Sequence, residues 1–269
     1  MAGVAACAVL VVLAAPALFV AMRLYFQAAS PLLAMLLTDG LLAGDHYRQA
    51  AARVRAVSAA FSRYLSPDVV ADIARSGEIP ELGGQLQTVT VLFCDMRGFT
   101  PIARKLPPTE LVAMLSAFFE AISRPVLAHR GFLGKFVGDQ VMAVFGLPYP
   151  QADDARRAVQ AALEMRTALR QFNEASVPQG WPAVSVGIGV HCGQAVVGNV
   201  GWEGRMDYTA MGDTVVLAQR LQAASKDLGV DIVVGTEVAQ QLPPEFRVRL
   251  LGEVHPSGWD QAVPAYALE

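Results

Sequence analysis

The sequence predicts an α+β fold, a mixed sheet covered by helices on one face, preceded by transmembrane helices. Three observations carry that expectation. From Thr88 onward, short alternating apolar runs take turns with longer stretches of helical periodicity. Turn residues punctuate the apolar runs at Gly138-Asp139 and at His191-Cys192-Gly193. Ahead of them, Ala2 to Met22 holds no charged residue, in a chain of 269 residues that is 54% hydrophobic and only 17% charged.

That charge-free run is long enough to cross a bilayer as a helix. A signal peptide is the competing reading, but no Lys or Arg precedes the run and it is long for a signal's apolar core. A second apolar stretch, Leu24 to Ala43, is interrupted by Gln27 and Asp39. The expectation is two spans rather than one, with Asp39 facing a helix partner or water. Arg48, Arg53, Arg55 and Arg63 follow directly. The positive-inside rule then places everything downstream in the cytoplasm, at the inner or plasma membrane. Residues 1–44 are read as the membrane segment.

Residues 45–83 read as a juxtamembrane helix and linker. Tyr47, Ala51, Val54, Ser58, Phe61 and Leu65 recur at alternating spacings of four and three, a short coiled-coil seam. The same residues would also suit a helix lying on its own domain. Ser66, Pro67 and Asp68 suit an N-cap, a first helical position and a first turn. The chain then loosens from Gly77 to Gly84.

The remaining elements follow in order. Residues 88–94 alternate as a strand, and 108–129 form an amphipathic helix through Leu111, Leu115, Phe118, Phe119, Ile122 and Val126. "GFLGKFVGDQVMAVFG" reads as a hairpin whose second strand runs from Gln140 to Phe145. Residues 151–174 read as a second helix and 212–227 as a third. "VSVGIGVHCGQAVVGNVG" reads as two strands about His191-Cys192-Gly193, and "DIVVG", "VRLLGEV" and "VPAYAL" supply the last strands. The net charge of −3 gives no reason to expect a nucleic-acid partner. Cys7, Cys94 and Cys192 lack the spacing of a disulfide framework or a zinc site.

Chemistry enters at two acids. Asp95 ends the apolar run "VTVLFCD", and Asp139 sits at the hairpin turn. A desolvated carboxylate is costly unless it is paired, hydrogen-bonded or bound to a metal. An Asp at a strand end is more often the cap of the next helix. If the two strands are neighbours, however, both carboxylates project from one sheet edge, where a hard cation between them relieves their repulsion. Mg²⁺ favours such a supply: one or two carboxylates, waters and substrate phosphates. The loop "MRGFT", with Gly98, would suit a phosphate. The pattern points to metal-assisted phosphoryl chemistry.

At this point "VTVLFCDMRGFT", "GKFVGDQVMAVFG" and "GRMDYTAMGDTVVLAQRL" resemble the three signature segments of the class III nucleotide cyclases. The resemblance covers residues 84–269, and "AAFSRYLSPDVVADI" is similar to the junction before the cyclase domain in bacterial membrane cyclases, notably those of the CHASE2 type. It implies a ferredoxin-like cyclase catalytic domain. It implies that Asp95 and Asp139, with the backbone carbonyl of Met96, hold two ions of Mg²⁺ or Mn²⁺. Gly98, Phe99 and Thr100 would line the substrate's phosphates, and Arg220 would act on the transition state. Lys135 and Thr209 match the base readers. An ammonium donates to adenine N1 and a hydroxyl accepts from N6, whereas similar guanylate cyclases carry an acid and a Cys or Ser. Alone, Lys135 would read as a solvated hairpin lysine. The family's sites are shared between two catalytic domains, so a homodimer or heterodimer is implied, acting on ATP.

Two positions depart from the pattern. Val216 stands where the family usually has an Asn, and Ser257 where it usually has a triphosphate-binding Lys. His255 and Arg205 are candidate substitutes for the lysine. Two readings follow: a slow adenylate cyclase, or a cyclase-fold regulatory subunit that binds nucleotide or a partner without turnover.

Overall fold

In a computed structural model of the chain, the structure describes residues 14–23, 35, 37–49, 52, 82–202, 204–255, 259 and 262–269. The chain divides into two units, Met1–Tyr64 and Leu65–Glu269. In the first, Ala14–Arg23 is a short apolar helix and residues 37–49 are helical and exposed. Most of the seam predicted between Tyr47 and Leu65, and the cap at Ser66, lie outside the described residues, as does much of the apolar run from Ala2.

The second unit is built on one sheet. Its elements are β1 (Gly83–Met96), α1 (Phe99–Lys105), α2 (Pro108–Ala128), β2 (Phe132–Val137), β3 (Gln140–Phe145), α3 (Asp154–Ser176), β4 (Val186–Trp202), β5 (Arg205–Met211), α4 (Asp213–Ala224), β6 (Ile232–Gly235), α5 (Thr236–Gln241), β7 (Val248–Val254) and β8 (Val263–Leu268). The strand order is β2-β3-β1-β4-β6-β8-β7, with β5 paired to β4. β4 and β6 are parallel and the other pairs antiparallel, so the sheet is mixed as expected.

Successive side chains of a strand point to opposite faces. On β1, Leu92, Cys94 and Met96 join the core built with α2, α3 and α5, around Met114, Phe118, Ile122 and Met165. Val89, Val91 and Phe93 join the opposite core, with Ala218 of α4. The expectation of helices on one face is therefore corrected: α4 covers the other face. Glycine makes its seat. A Cβ on Gly189 would lie 2.2 Å from the Gln222 backbone nitrogen and 2.3 Å from the Ala218 carbonyl. α2 is the one described helix long and apolar enough to cross a membrane. Its buried Met114, Phe118, Ile122 and Val126 account for that apolarity, since they pack in the core.

Two further expectations are corrected. His191-Cys192-Gly193 is not a turn: β4 is continuous, and β1 pairs with it from Gly83↔Asn199 to Met96↔Val186. Gly193 serves a close approach instead, since a Cβ there would sit 2.6 Å from Thr214 Oγ1. The strand expected at 88–94 starts five residues earlier, at Gly83, because β4 extends its partner, and β5 adds a further strand on that extension.

Candidate active site

β3 lies beside β1, with Cys94 opposite Val141 as their last pair. Asp95 is the next residue along β1, and Asp139 stands in the turn that feeds β3. The topology thus delivers both half-buried acids to one sheet edge. Asp139 stands close enough to Asp95 for its charge and side chain to act on that carboxyl. The carboxyl of Asp95 is pushed up to about 6, first by burial and then by the charge and hydrogen bond of Asp139, against a lowering hydrogen bond from the Met96 backbone. Asp95 is not a helix cap. The N-cap of α1 is Gly98, at φ 71°, and no side chain caps that helix. The Cys94 thiol beneath the pair is pushed far up, by burial first and by the two acids second. It is held as an inert thiol.

Two acids held this close share a proton or a cation. Among the described residues no third His, Cys, Asp or Glu joins them in a metal-holding group. Hard oxygen donors in so small a number fit a cation that completes its shell with water and phosphate oxygens. The donor set therefore fits Mg²⁺ or Mn²⁺. Met96 buries its side chain, at 3% exposed, and offers only backbone to the edge. After it, Gly98 takes the left-handed conformation a side chain would strain. Phe99 packs against the core and Thr100 is exposed.

Lys135 lies on β2 opposite Met142, after an irregularity between Leu133 and Lys135. Thr209 lies on β5, 2% exposed, and its hydroxyl is buried with no hydrogen-bond partner. The two strands meet through Phe132 and Tyr208, whose rings stack edge to face at 5.8 Å. Arg220 stands on an exposed stripe of α4 with Val216 and Gln219, while Leu217, Ala218, Leu221 and Gln222 are turned inward. Val216 is 40% exposed, so no core role explains its apolar side chain. Ser257 lies outside the described residues, and His255 and Arg205 are exposed. Sequence reasoning missed the contacts that Arg97 and Gln140 make with α4 and the turn leaving it, because no spacing rule links them.

The profile of the adenylate and guanylate cyclase catalytic domain matches residues 83–269. Adenylate cyclase 1 of Rhizobium meliloti is 36% identical over 214 residues, covering 80% of this chain and 32% of that protein. The adenylate cyclase of Anabaena cylindrica is 33% identical over 220 residues, covering 78% of this chain and 42% of that protein. The chain thus spans well under half the length of these relatives. Among solved structures, the adenylyl cyclase CyaB of P. aeruginosa superposes with a TM-score of 0.66 at 32% identity, covering 70% of this chain and 96% of that one. The guanylyl cyclase Cya2 superposes with a TM-score of 0.63, also at 32% identity, covering 70% of this chain and 94% of that one. Fold likeness alone therefore does not choose between the purine bases. With its three signature segments on one sheet and its acids at one edge, the chain belongs to the adenylate and guanylate cyclase catalytic domain family.

Proposed function

We propose that the chain is an adenylate cyclase, converting ATP to 3′,5′-cyclic AMP and pyrophosphate at a site shared between two catalytic domains. The observation that carries this reading is the Asp95–Asp139 pair, two acids held against each other at a sheet edge. Two ions of Mg²⁺ or Mn²⁺ bound there, with the Met96 carbonyl, would supply Lewis-acid activation of the ribose 3′-hydroxyl and neutralise the triphosphate. The chain's own groups do the rest. Lys135 donates to adenine N1, and the unpartnered Thr209 hydroxyl accepts from the N6 amine. Gly98, Phe99 and Thr100 border the phosphates. Arg220 has no ion pair among the described residues and is open to charge developing on the transferring phosphate.

An exposed apolar row supports a paired domain. Leu86, Val196 and Met211 are cross-strand neighbours on one face, 65%, 42% and 49% exposed. Such a row on a sheet extension fits a second cyclase domain, of this chain or of another. The membrane segment and the cytoplasmic placement of the catalytic domain belong to the same proposal and rest on Ala2–Met22 and the arginines after it.

Val216 favours a second reading, a regulatory subunit that binds nucleotide without turnover, because valine has no hydrogen-bonding group. The deciding experiment incubates the purified full chain with ATP or GTP and Mn²⁺. Cyclic AMP formed from ATP, and lost in Asp139→Asn, supports the enzyme. ATP binding with no product supports the regulatory subunit.

A further inference from the structure

Each acid of the pair is followed within two residues by a side chain that grips α4 or the turn leaving it. Arg97, two residues beyond Asp95, donates from Nη2 to the Val230 carbonyl at 2.5 Å and to Ser225 Oγ at 3.2 Å. Gln140, next to Asp139, donates to Gln222 Oε1 at 3.4 Å and accepts from Gln219 Nε2 at 3.1 Å. Gln219 immediately precedes Arg220. The ladder partner of Asp95 is Gly187, where a Cβ would lie 2.2 Å from Ser225 Oγ. The end of α4 therefore rests on bare backbone beside one acid and is hydrogen-bonded to the neighbour of the other.

We infer that the metal edge and α4 behave as one body in each chain, with Arg97 and Gln140 as positioning residues that carry occupation of the acid pair to the helix of Arg220. The inference rests on the shared-site reading. There, one chain's acids serve one site while its base readers serve the other, and a clasp inside each chain couples its acid pair to the helix of Arg220. Packed contacts of this kind transmit a change only if the element they grip responds to it, and that response is measurable.

The test is hydrogen exchange of the full chain with and without Mn²⁺ alone. Mn²⁺ is expected to slow exchange in the segment holding Asp95 and also in Asp213–Ala224, where no proposed metal ligand lies. In a Gln140→Ala, Arg97→Lys variant, the Asp95 segment keeps its protection while that of α4 falls by roughly threefold or more. Gln140→Ala alone, at a partly exposed amide, gives the same readout with less effect if the double variant does not fold. An α4 that Mn²⁺ leaves unchanged, or protects equally in the variants, overturns the coupling and leaves the metal site standing. Absence of protection at Asp95 itself overturns both.

Discussion

Thr209 is 2% exposed with a hydroxyl that finds no partner, and Lys135 stands on a strand that meets its own through Phe132 and Tyr208. Buried polar groups left unmatched are costly, so a base presenting the wrong donors and acceptors is strongly rejected. Exchanging Lys135 for Glu together with Thr209 for Cys is expected to weaken the preference for ATP over GTP, read as the ratio of kcat/KM for the two. Val216 bears on rate instead. One transition-state donor is typically worth ~10²–10³ in rate. Val216→Asn is therefore expected to raise kcat while leaving KM nearly unchanged, measured as initial cyclic AMP formation under saturating ATP. Asp95 and Asp139 were legible as a pair from sequence, because each stands at the end of an apolar run and neighbouring strands would bring both to one sheet edge. The grip of Arg97 and Gln140 was not legible, since it depends on a helix more than seventy residues away packing on the opposite face of the sheet.

At the scale of elements, the hairpin of β2 and β3 falls within a residue of its sequence reading because Gly138-Asp139 carries its own turn chemistry. β4 was misread for the converse reason. Gly193 resembles a turn signal, yet it is bare so that Thr214 can approach. The two-sided covering of the sheet had a signal too: "VTVLFC" is apolar at both strand parities, the pattern of a strand buried on both faces. Gly189→Ala tests the seat of α4. Its Cβ would meet helix backbone, which cannot swing aside. A loss of about 1–3 kcal/mol in denaturant unfolding is expected, together with lower activity as Arg220 shifts. His191, inside β4, is buried, and its imidazole is held below the ordinary histidine value by that burial, more than nearby Glu237 raises it. Its Nδ1 lies 3.3 Å from Glu237 Oε2 without the geometry of a hydrogen bond, so the carboxylate compensates weakly. The unfolded chain therefore binds this proton more readily than the folded one. The contribution to stability is present above about pH 6.5 and is lost as pH falls below it. His191→Gln is expected to flatten that part of the stability profile, followed by thermal unfolding between pH 7.5 and pH 5.5, about one unit to either side of the histidine midpoint.

For the whole molecule, the family was legible in the sequence, whose reading starts the catalytic unit at residue 84, and the family profile matches residues 83–269. Composition alone would not have reached it. The signature segments did, because each joins a strand to the turn or helix after it around a candidate site residue, Asp95, Asp139 or Thr209. What one chain cannot carry is a complete site, if its acids and its base readers serve different pockets. The apolar row of Leu86, Val196 and Met211 is where a second domain is proposed to sit. Two inactive chains then test the arrangement together. Asp95→Ala removes the acid pair and Lys135→Ala removes the base reader, and a mixed dimer retains one site with all its groups. Cyclic AMP formation from ATP should be near zero for each variant alone and recover on mixing, towards half the unaltered rate per mixed dimer, one site in two. No recovery, with mixed dimers shown to form, would contradict a shared ATP site.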